Sequence, residues 1–284
     1  MNIQWYPGHM TKTRRQIEAD LKLVDAVCEI VDARIPISSR NPDIDSICGN
    51  KPRIIVLNRM DLADNEATKR WLQHFRSRGF AAIATDCKTK KGIADFQPAV
   101  RSLLKEKIER DLAKSMHKPL KVMVVGIPNV GKSTLINQIS GRKGAKAENR
   151  PGVTRGKQWV NVDTGLLLLD TPGILWPKFD DPNVGMMLAY TGAVKEGVID
   201  LEELAARLME LLLKFYPQTL RDRYKVEAEP DTPGYVLLEE AGRKRGYLLA
   251  RGEIHTERMA KVLLDEYRSG KLGHFTLESP EELQ

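Results

Sequence analysis

Long apolar stretches, cysteine and aromatic residues are all scarce in this chain of 284 residues. Apolar runs are short, as in Leu166 to Leu169, whereas a transmembrane helix needs about 20 such residues. The start of the chain has neither the apolar stretch of a signal peptide nor the pattern of a transit peptide. The three cysteines lie far apart, which supports neither a disulfide framework nor a zinc site. We therefore expect a cytoplasmic protein with reduced thiols and no membrane partner.

The charge is plentiful but unevenly placed. The composition, 42% hydrophobic and 29% charged, is typical of a globular protein, and the length indicates about two domains. Residues 1–177 hold 30 Lys and Arg against 18 Asp and Glu, whereas residues 178–284 hold 15 against 20. The net charge of +7 therefore divides into +12 and −5. This asymmetry indicates two units with different surfaces and a polyanionic partner for the first.

Short apolar segments alternate with helical patterns in the first 180 residues. The predicted strands are Ala26–Val31, Arg53–Leu57, Phe80–Ala84, Lys121–Val125, Gln158–Val162 and Leu166–Leu169. The helical patterns between them are Glu66–Arg78, Ile93–Lys114 and Lys132–Ser140. This alternation predicts an α/β fold, with a doubly wound, mostly parallel sheet.

The last third of the chain is predicted to be mostly helical. One helix starts at a capping box formed by Asp200 and Glu203 and ends at Pro217, and a second spans Thr256–Ser269. Residues Glu227–Gly234, with two prolines, are predicted to form a loop. We therefore predict domains at 1–180 and 181–284.

Residues Gly126 to Ser133 fit the phosphate-loop pattern G-x-x-x-x-G-K-[ST], after a predicted strand and at the start of a predicted helix. In such a loop the backbone N–H groups point at phosphates. Lys132 is expected to reach the β- and γ-phosphates, and the Ser133 hydroxyl to bind Mg²⁺. A glycine-containing turn without function is the other interpretation, and it has a small weight because the whole pattern and its context are present.

Asp170-Thr171-Pro172-Gly173 follows the strand Leu166–Leu169. An Asp at a strand end beside a phosphate loop can hold Mg²⁺, and the Gly173 N–H can sense a γ-phosphate. Between the two motifs lies the polar segment Arg150–Gly156, a candidate switch loop in which Thr154 would complete the metal shell. Without the flanking motifs, a turn would explain either segment.

Asn58-Arg59-Met60-Asp61 follows another predicted strand and matches N-K-x-D with Arg in place of Lys. The Asp61 carboxylate would accept hydrogen bonds from guanine N1 and N2, which adenine does not offer. A guanidinium stacks on a purine face, so Arg59 keeps the expected role. A helix-capping Asp is the alternative interpretation. After the next strand, Asp86 and Cys87 occupy the place where GTPases contact guanine through the backbone.

The order of these motifs predicts a circularly permuted GTPase domain. The base-reading motif precedes the phosphate loop, and D-x-x-G comes last. Permutation is tolerated because chain termini often lie close together. The break then falls after Gly173, where the chain leads into the helical domain.

Trp5-Tyr6-Pro7-Gly8-His9-Met10, Asp32-Ala33-Arg34-Ile35-Pro36, the permuted order and the helical carboxyl-terminal third together resemble the bacterial RbgA/YlqF ribosome-biogenesis GTPases. The resemblance covers essentially the whole chain. It implies GTP hydrolysis, activation by ribosomal particles and a role in late maturation of the large ribosomal subunit.

Hydrolysis needs a group that orients water, and Ile174 stands where small GTPases carry Gln. His9 is the best candidate in the sequence, and the resemblance implies the same residue; packing of an N-terminal turn or an RNA contact is the alternative. In similar phosphate loops the residue equivalent to Asn129 helps to hold K⁺ near the phosphates, so K⁺ is a further expected cofactor.

The sequence thus predicts a GTPase that binds GTP with Mg²⁺, contacts the large-subunit precursor and rRNA, and is a monomer. The basic segments Lys12–Arg15, Lys88–Lys91 and Arg142–Lys157 are candidate rRNA contacts, or solvated surface. Two alternatives are a nucleotide-switched RNA- or protein-binding module with little hydrolysis, and a P-loop ATPase or metabolite kinase, which Asp61 disfavours.

The predicted site residues are His9 for catalysis; Asn58, Arg59, Met60, Asp61, Asp86, Cys87, Asn129, Val130, Gly131, Lys132, Ser133, Thr134, Thr154 and Gly173 for GTP; and Ser133, Thr154 and Asp170 for metal.

Overall fold

The computed structural model describes residues 10–141, 158–163, 165–173, 181–194, 200–250 and 252–283. Its strands are β1 Ala26–Asp32, β2 Arg53–Asn58, β3 Ala81–Thr85, β4 Leu120–Gly126, β5 Gln158–Asp163 and β6 Leu166–Asp170. They form one sheet in the order β3-β2-β1-β4-β6-β5, parallel throughout except for the antiparallel pair β5 and β6. Each of the six predicted strands is confirmed to within one residue at either end.

The described α-helices connect these strands and fill the last third of the chain. They are α1 Met10–Asp20, α2 Asp43–Cys48, α3 Asn65–Ser77, α4 Phe96–Leu103, α5 Lys105–Ala113, α6 Lys132–Ser140, α7 Pro182–Tyr190, α8 Leu201–Phe215, α9 Pro217–Tyr224, α10 Gly234–Lys244 and α11 Thr256–Ser269. Single 3₁₀ turns occupy Leu21–Leu23, Ile93–Asp95 and Pro280–Leu283.

One helix prediction needs correction, and the structure adds detail to two predictions for the last third of the chain. The single helix predicted over Ile93–Lys114 is divided, because Leu104 leaves the helical conformation (φ −105°, ψ 19°) between α4 and α5. Pro217 ends α8 as predicted, but its fixed φ also suits the first turn of a new helix, α9. The predicted loop Glu227–Gly234 is one residue too long, since α10 begins at Gly234.

Both faces of the sheet are covered, as a doubly wound fold requires. On one face, Val31 and Leu57 pack with Trp71 and Phe75 of α3, while Val27 packs with residues of α1 and α2. Helices α4 and α6 contact strands β2–β6. Strands β1 and β2 are buried along almost their full length, which explains why most of their positions on both faces are apolar and do not alternate with polar residues.

The residue contacts divide the described chain into two compact units. One unit contains residues 181–277 and is built around α8, which packs against α10, α11, α9 and α7. Asp200 caps α8, since its carboxylate accepts the N–H groups of Glu202 and Glu203. The other unit contains the sheet and, from the end of the chain, residues 278–283. The helices in the described ranges are all too short or too polar to cross a membrane.

Candidate nucleotide-binding site

The candidate site lies at the edge of the sheet where the parallel strands end. Asp32, Asn58 and Thr85 are aligned in the register of β1, β2 and β3. Gly126 and Asp170 end the neighbouring strands β4 and β6. Strand order reverses between β1 and β4, and such a reversal is where open α/β sheets form a ligand crevice. The base-reading and phosphate-loop motifs, which are far apart in sequence, therefore meet in this crevice.

The phosphate loop has the backbone its pattern requires. Asn129 and Gly131 have positive φ values of 61° and 99°, and α6 begins at Lys132. A Cβ atom on Gly131 would lie 2.4 Å from Nδ2 of Asn58, so this position needs glycine for close approach as well as for its backbone angle. The first N–H groups of α6 therefore face the same crevice as the base-reading loop.

Lys132 and Asp170 form the charged centre of this loop, and both are buried. The Lys132 ammonium donates to the carbonyls of Gly126 and Ile127 at 3.2 and 3.1 Å. Burial lowers the pKa of Lys132 to about 8, with Asp170 opposing the shift, and burial raises the pKa of Asp170, with Lys132 opposing. An anion near Lys132 would replace backbone carbonyls as its partners and favour its charged form.

A hydroxyl and a carboxylate also meet here. Ser133 Oγ donates to Asp170 Oδ2 at 3.4 Å. Asp170 Oδ1 is buried and has no hydrogen-bond partner in the described part of the chain. Oxygen donors of this kind fit Mg²⁺. Gly173 approaches closely, since a Cβ atom there would lie 2.9 Å from Pro128 Cα and from Lys132 Nζ.

Asn58 joins the base-reading loop to the phosphate loop. Its amide nitrogen donates to the Val130 carbonyl at 2.8 Å, and its amide oxygen accepts from Thr85 Oγ1 at 3.1 Å and Cys87 Sγ at 3.3 Å. Asn58 is therefore occupied in fixing three loops relative to one another. This explains why an amide, which both donates and accepts, stands at the end of β2.

Arg59 makes a second link. It has a positive φ of 62°, and its NH2 group donates to the Asn129 carbonyl at 2.6 Å. Burial lowers the pKa of Arg59, and Asp32 opposes that shift. The following residues turn back to β3, because the Met60 N–H donates to the Thr85 carbonyl at 3.1 Å.

Asp61 remains partly exposed at the crevice, where Lys88 Nζ lies 3.5 Å from Oδ2. The loop carrying Lys88 is shaped by Asp86, whose carboxylate accepts the N–H of Lys88 at 2.7 Å and the hydroxyl of Thr89 at 2.5 Å. The Cys87 carbonyl accepts from Gln138 of α6 at 3.0 Å. The Asp86 side chain thus holds the loop, which leaves backbone groups to contact a base.

The structure brings together most of the predicted nucleotide and metal residues. Thr134 lies exposed on α6, directly after Ser133. Two predicted residues, His9 and Thr154, lie outside the described residues. The sequence motifs assign no role in the site to Asp32 and Arg34, although Asp32 ends the buried strand β1 at the same edge of the sheet.

A doubly wound sheet with a phosphate loop at its switch point, and a base-reading loop bonded to it, defines a P-loop GTPase. The model of the family described as "50S ribosome-binding GTPase" matches residues 121–215. The chain is 46% identical to "Ribosome biogenesis GTPase A" of Priestia megaterium, with 100% of this chain and 99% of that protein covered. The protein of the same name from Thermotoga maritima is 32% identical over 99% of this chain and 96% of that protein.

Two solved structures have the same architecture. A GDP-bound YlqF has a TM-score of 0.67 and 29% identity, covering 94% of this chain and 100% of that one. The GNP-bound YlqF from T. maritima has a TM-score of 0.64 at the same identity, covering 95% and 99%. This chain belongs to the ribosome biogenesis GTPase A family, and it is a GTP-binding GTP hydrolase of ribosome assembly. The resemblance inferred from the motifs is thereby confirmed.

Proposed function

We propose that this GTPase acts on the large ribosomal subunit, binding its precursor through rRNA and hydrolysing GTP to GDP and phosphate on that particle. The matching family is described as binding the 50S particle, and the curated relatives are named for ribosome biogenesis. The net charge of residues 1–177 is +12, which suits an rRNA surface. The protein works as a monomer in the cytoplasm, where bacterial ribosomes are assembled, and its domains are 1–180 and 181–284.

The observation that carries the nucleotide part of the proposal is the pair of bonds between the two loops. Asn58 and Arg59 bind the carbonyls of Val130 and Asn129 at 2.8 and 2.6 Å. A phosphate group bound at Lys132 therefore has a base-reading loop fixed beside it. In this arrangement Asp61 reads guanine, Arg59 covers the base, and backbone groups of Asp86 and Cys87 complete the base pocket.

The phosphate part of the site would use the remaining predicted residues. The loop from Asn129 to Thr134 surrounds the phosphates, the Gly173 N–H meets the γ-phosphate, and Asn129 helps to hold K⁺. Ser133, Asp170 and Thr154 would hold Mg²⁺, which neutralises phosphate charge when bound. His9 orients the attacking water, a role that the aliphatic Ile174 does not supply.

Nucleotide-dependent sedimentation with purified ribosomal subunits tests this function. We expect the full chain to sediment with 50S but not 30S subunits in the presence of a non-hydrolysable GTP analogue, and to remain in the supernatant with GDP. We also expect 50S subunits to stimulate hydrolysis, and His9→Ala to abolish that stimulation while GTP affinity stays unchanged. Binding to 30S subunits as strong as to 50S subunits, or the same binding with GDP as with the GTP analogue, would contradict the proposal.

A further inference from the structure

A buried ion pair joins the last residue of β1 to the loop that follows it, beside the base-reading loop. Arg34 folds back onto Asp32, with Nε donating to Oδ1 at 2.9 Å and NH2 to Oδ2 at 2.7 Å. Arg34 is fully buried and Asp32 is 3% exposed. Burying such a pair rarely stabilises a fold more than apolar side chains of the same size would. Its presence at this edge of the sheet therefore calls for a role other than stability.

The same carboxylate faces a second cation. Arg59 Nε lies 3.9 Å from Asp32 Oδ2. Because Arg34 already occupies both carboxylate oxygens in a fork, Arg59 stays at the periphery of the pair and does not replace it. At its other end, the Arg59 guanidinium donates to the Asn129 carbonyl of the phosphate loop. The guanidinium is thus placed between a fixed negative charge and a fixed acceptor.

The position of Asp32 is itself rigid. The Asp32 N–H donates to Ser39 Oγ at 2.9 Å, and the Arg34 N–H donates to Asp32 Oδ1 at 3.0 Å. The Ala33 N–H donates to the Asn58 carbonyl at 2.9 Å, which ties this loop to the residue before Arg59. The attraction between Asp32 and Arg59 acts in a partly buried site, where charges are less screened than in water.

We propose that Asp32 is a positioning residue for guanine-nucleotide binding: with Arg34 as its fixed counter-ion, it holds the Arg59 guanidinium on the phosphate loop, where Arg59 covers the base. This inference rests on the proposed base-reading role of residues 58–61. Asp32 does not touch the nucleotide in this arrangement and acts only through Arg59. A planar guanidinium kept in one orientation loses less entropy on stacking than one that is free to rotate.

The test measures nucleotide affinity of the full chain in a double-mutant cycle. We expect Asp32→Asn to weaken GTP and GDP binding about tenfold, and Arg59→Ala to weaken them at least as much. In the Arg59→Ala background, Asp32→Asn should have no further effect, because the two residues act as one unit. Inorganic tripolyphosphate, which has no base, should bind the wild type and Asp32→Asn equally. Asp45→Asn is the matched control, since Asp45 is an exposed carboxylate that pairs with two arginines, Arg40 and Arg53.

Removing Asp32 alone leaves Arg34 buried without its counter-ion, which threatens folding. The second variant is therefore Asp32→Asn with Arg34→Met, which removes both charges and should reproduce the tenfold loss. The inference is overturned if either variant binds GTP like the wild type, if the loss persists in the Arg59→Ala background, or if tripolyphosphate binding falls equally. If Arg59→Ala itself leaves GTP affinity unchanged, it is the proposed base-reading role that fails.

Discussion

Glu278, near the end of the chain, should make the stability of the sheet unit depend on pH. Its carboxylate accepts the N–H groups of Ile37 and Ser38 at 2.7 and 3.0 Å, and its carbonyl accepts from Trp71 Nε1 at 3.1 Å. Burial raises the pKa of Glu278 from 4.5 to about 6, although the two N–H groups oppose the shift and Asp32 adds to it. The perturbation that isolates this carboxyl group is Glu278→Gln.

The sign follows from where the proton is held more tightly. Between the unfolded pKa of 4.5 and the folded pKa of about 6, the folded state binds more protons than the unfolded state. Stability contributed by this group is therefore fully present below pH 4.5 and is lost as the pH rises through 6. A shift of about 1.5 pKa units corresponds to about 2 kcal/mol. Because Glu278 as a residue is only partly buried, we expect about 1–2 kcal/mol.

Urea denaturation at pH values from 4 to 7 measures this effect. Tryptophan emission, to which the fully buried Trp71 contributes, reports unfolding of the sheet unit. We expect the free energy of unfolding of the wild type, minus that of Glu278→Gln, to fall by about 1–2 kcal/mol over this range. Glu281→Gln is the control, since Glu281 is exposed and pairs with Arg70. A difference that stays constant, or that rises with pH, would refute the reasoning.

Two further substitutions test the base-reading loop and the helical unit. Asp61→Asn should reduce GTP affinity about 100-fold, because the charge-assisted hydrogen bonds to guanine N1 and N2 are lost. The same variant should bind xanthosine triphosphate more tightly than the wild type does, because the C2 carbonyl of xanthine accepts a hydrogen bond from an amide. A titration in which Asp61→Asn binds GTP as tightly as the wild type would contradict the assignment. Gly234→Ala should destabilise the helical unit by about 2 kcal/mol, because the added Cβ would lie 2.0 Å from the Ala206 carbonyl oxygen and force α10 away from α8. Calorimetry should show a lower melting temperature with unchanged GTP affinity, and unchanged melting would contradict the packing argument.

Much of the sheet was predictable because its strands are buried on both faces. A strand such as β2 must then be apolar at nearly every position, and its continuous run identifies it without knowledge of its neighbours. The helices α7, α9 and α10 were not predicted, since proline and glycine occur at their starts. Both residue types also mark turns, so local sequence alone does not separate a turn from a first helical turn.

The site residues that were predictable from the sequence are those at the ends of buried strands. Lys132, Ser133 and Asp170 follow buried strands, so their place at one edge of the sheet follows from the strand pattern alone. The hydrogen-bond and ion-pair partners of Arg59 are not predictable from the strand pattern, because they depend on the order of the strands in the sheet and on the left-handed backbone conformation of Arg59. The return of Glu278 to the loop at Ile37 is also unpredictable, since the two residues are 241 positions apart and no local pattern links them.

The permuted chain order gives these long-range bonds their importance. Strands β1, β2 and β3 extend from the switch point in one direction and carry the base-reading loop, while β4 and β6 lie on the other side and carry the phosphate and metal residues. The bond from Asn58 to Val130 joins residues 72 positions apart. The pairing of β1 with β4 aligns the two halves of the sheet, and the side chains of Asn58 and Arg59 add direct bonds from the base-reading loop to phosphate-loop carbonyls. Weakening those bonds should impair nucleotide binding before it unfolds the sheet, because the strand pairing and the apolar core do not depend on them.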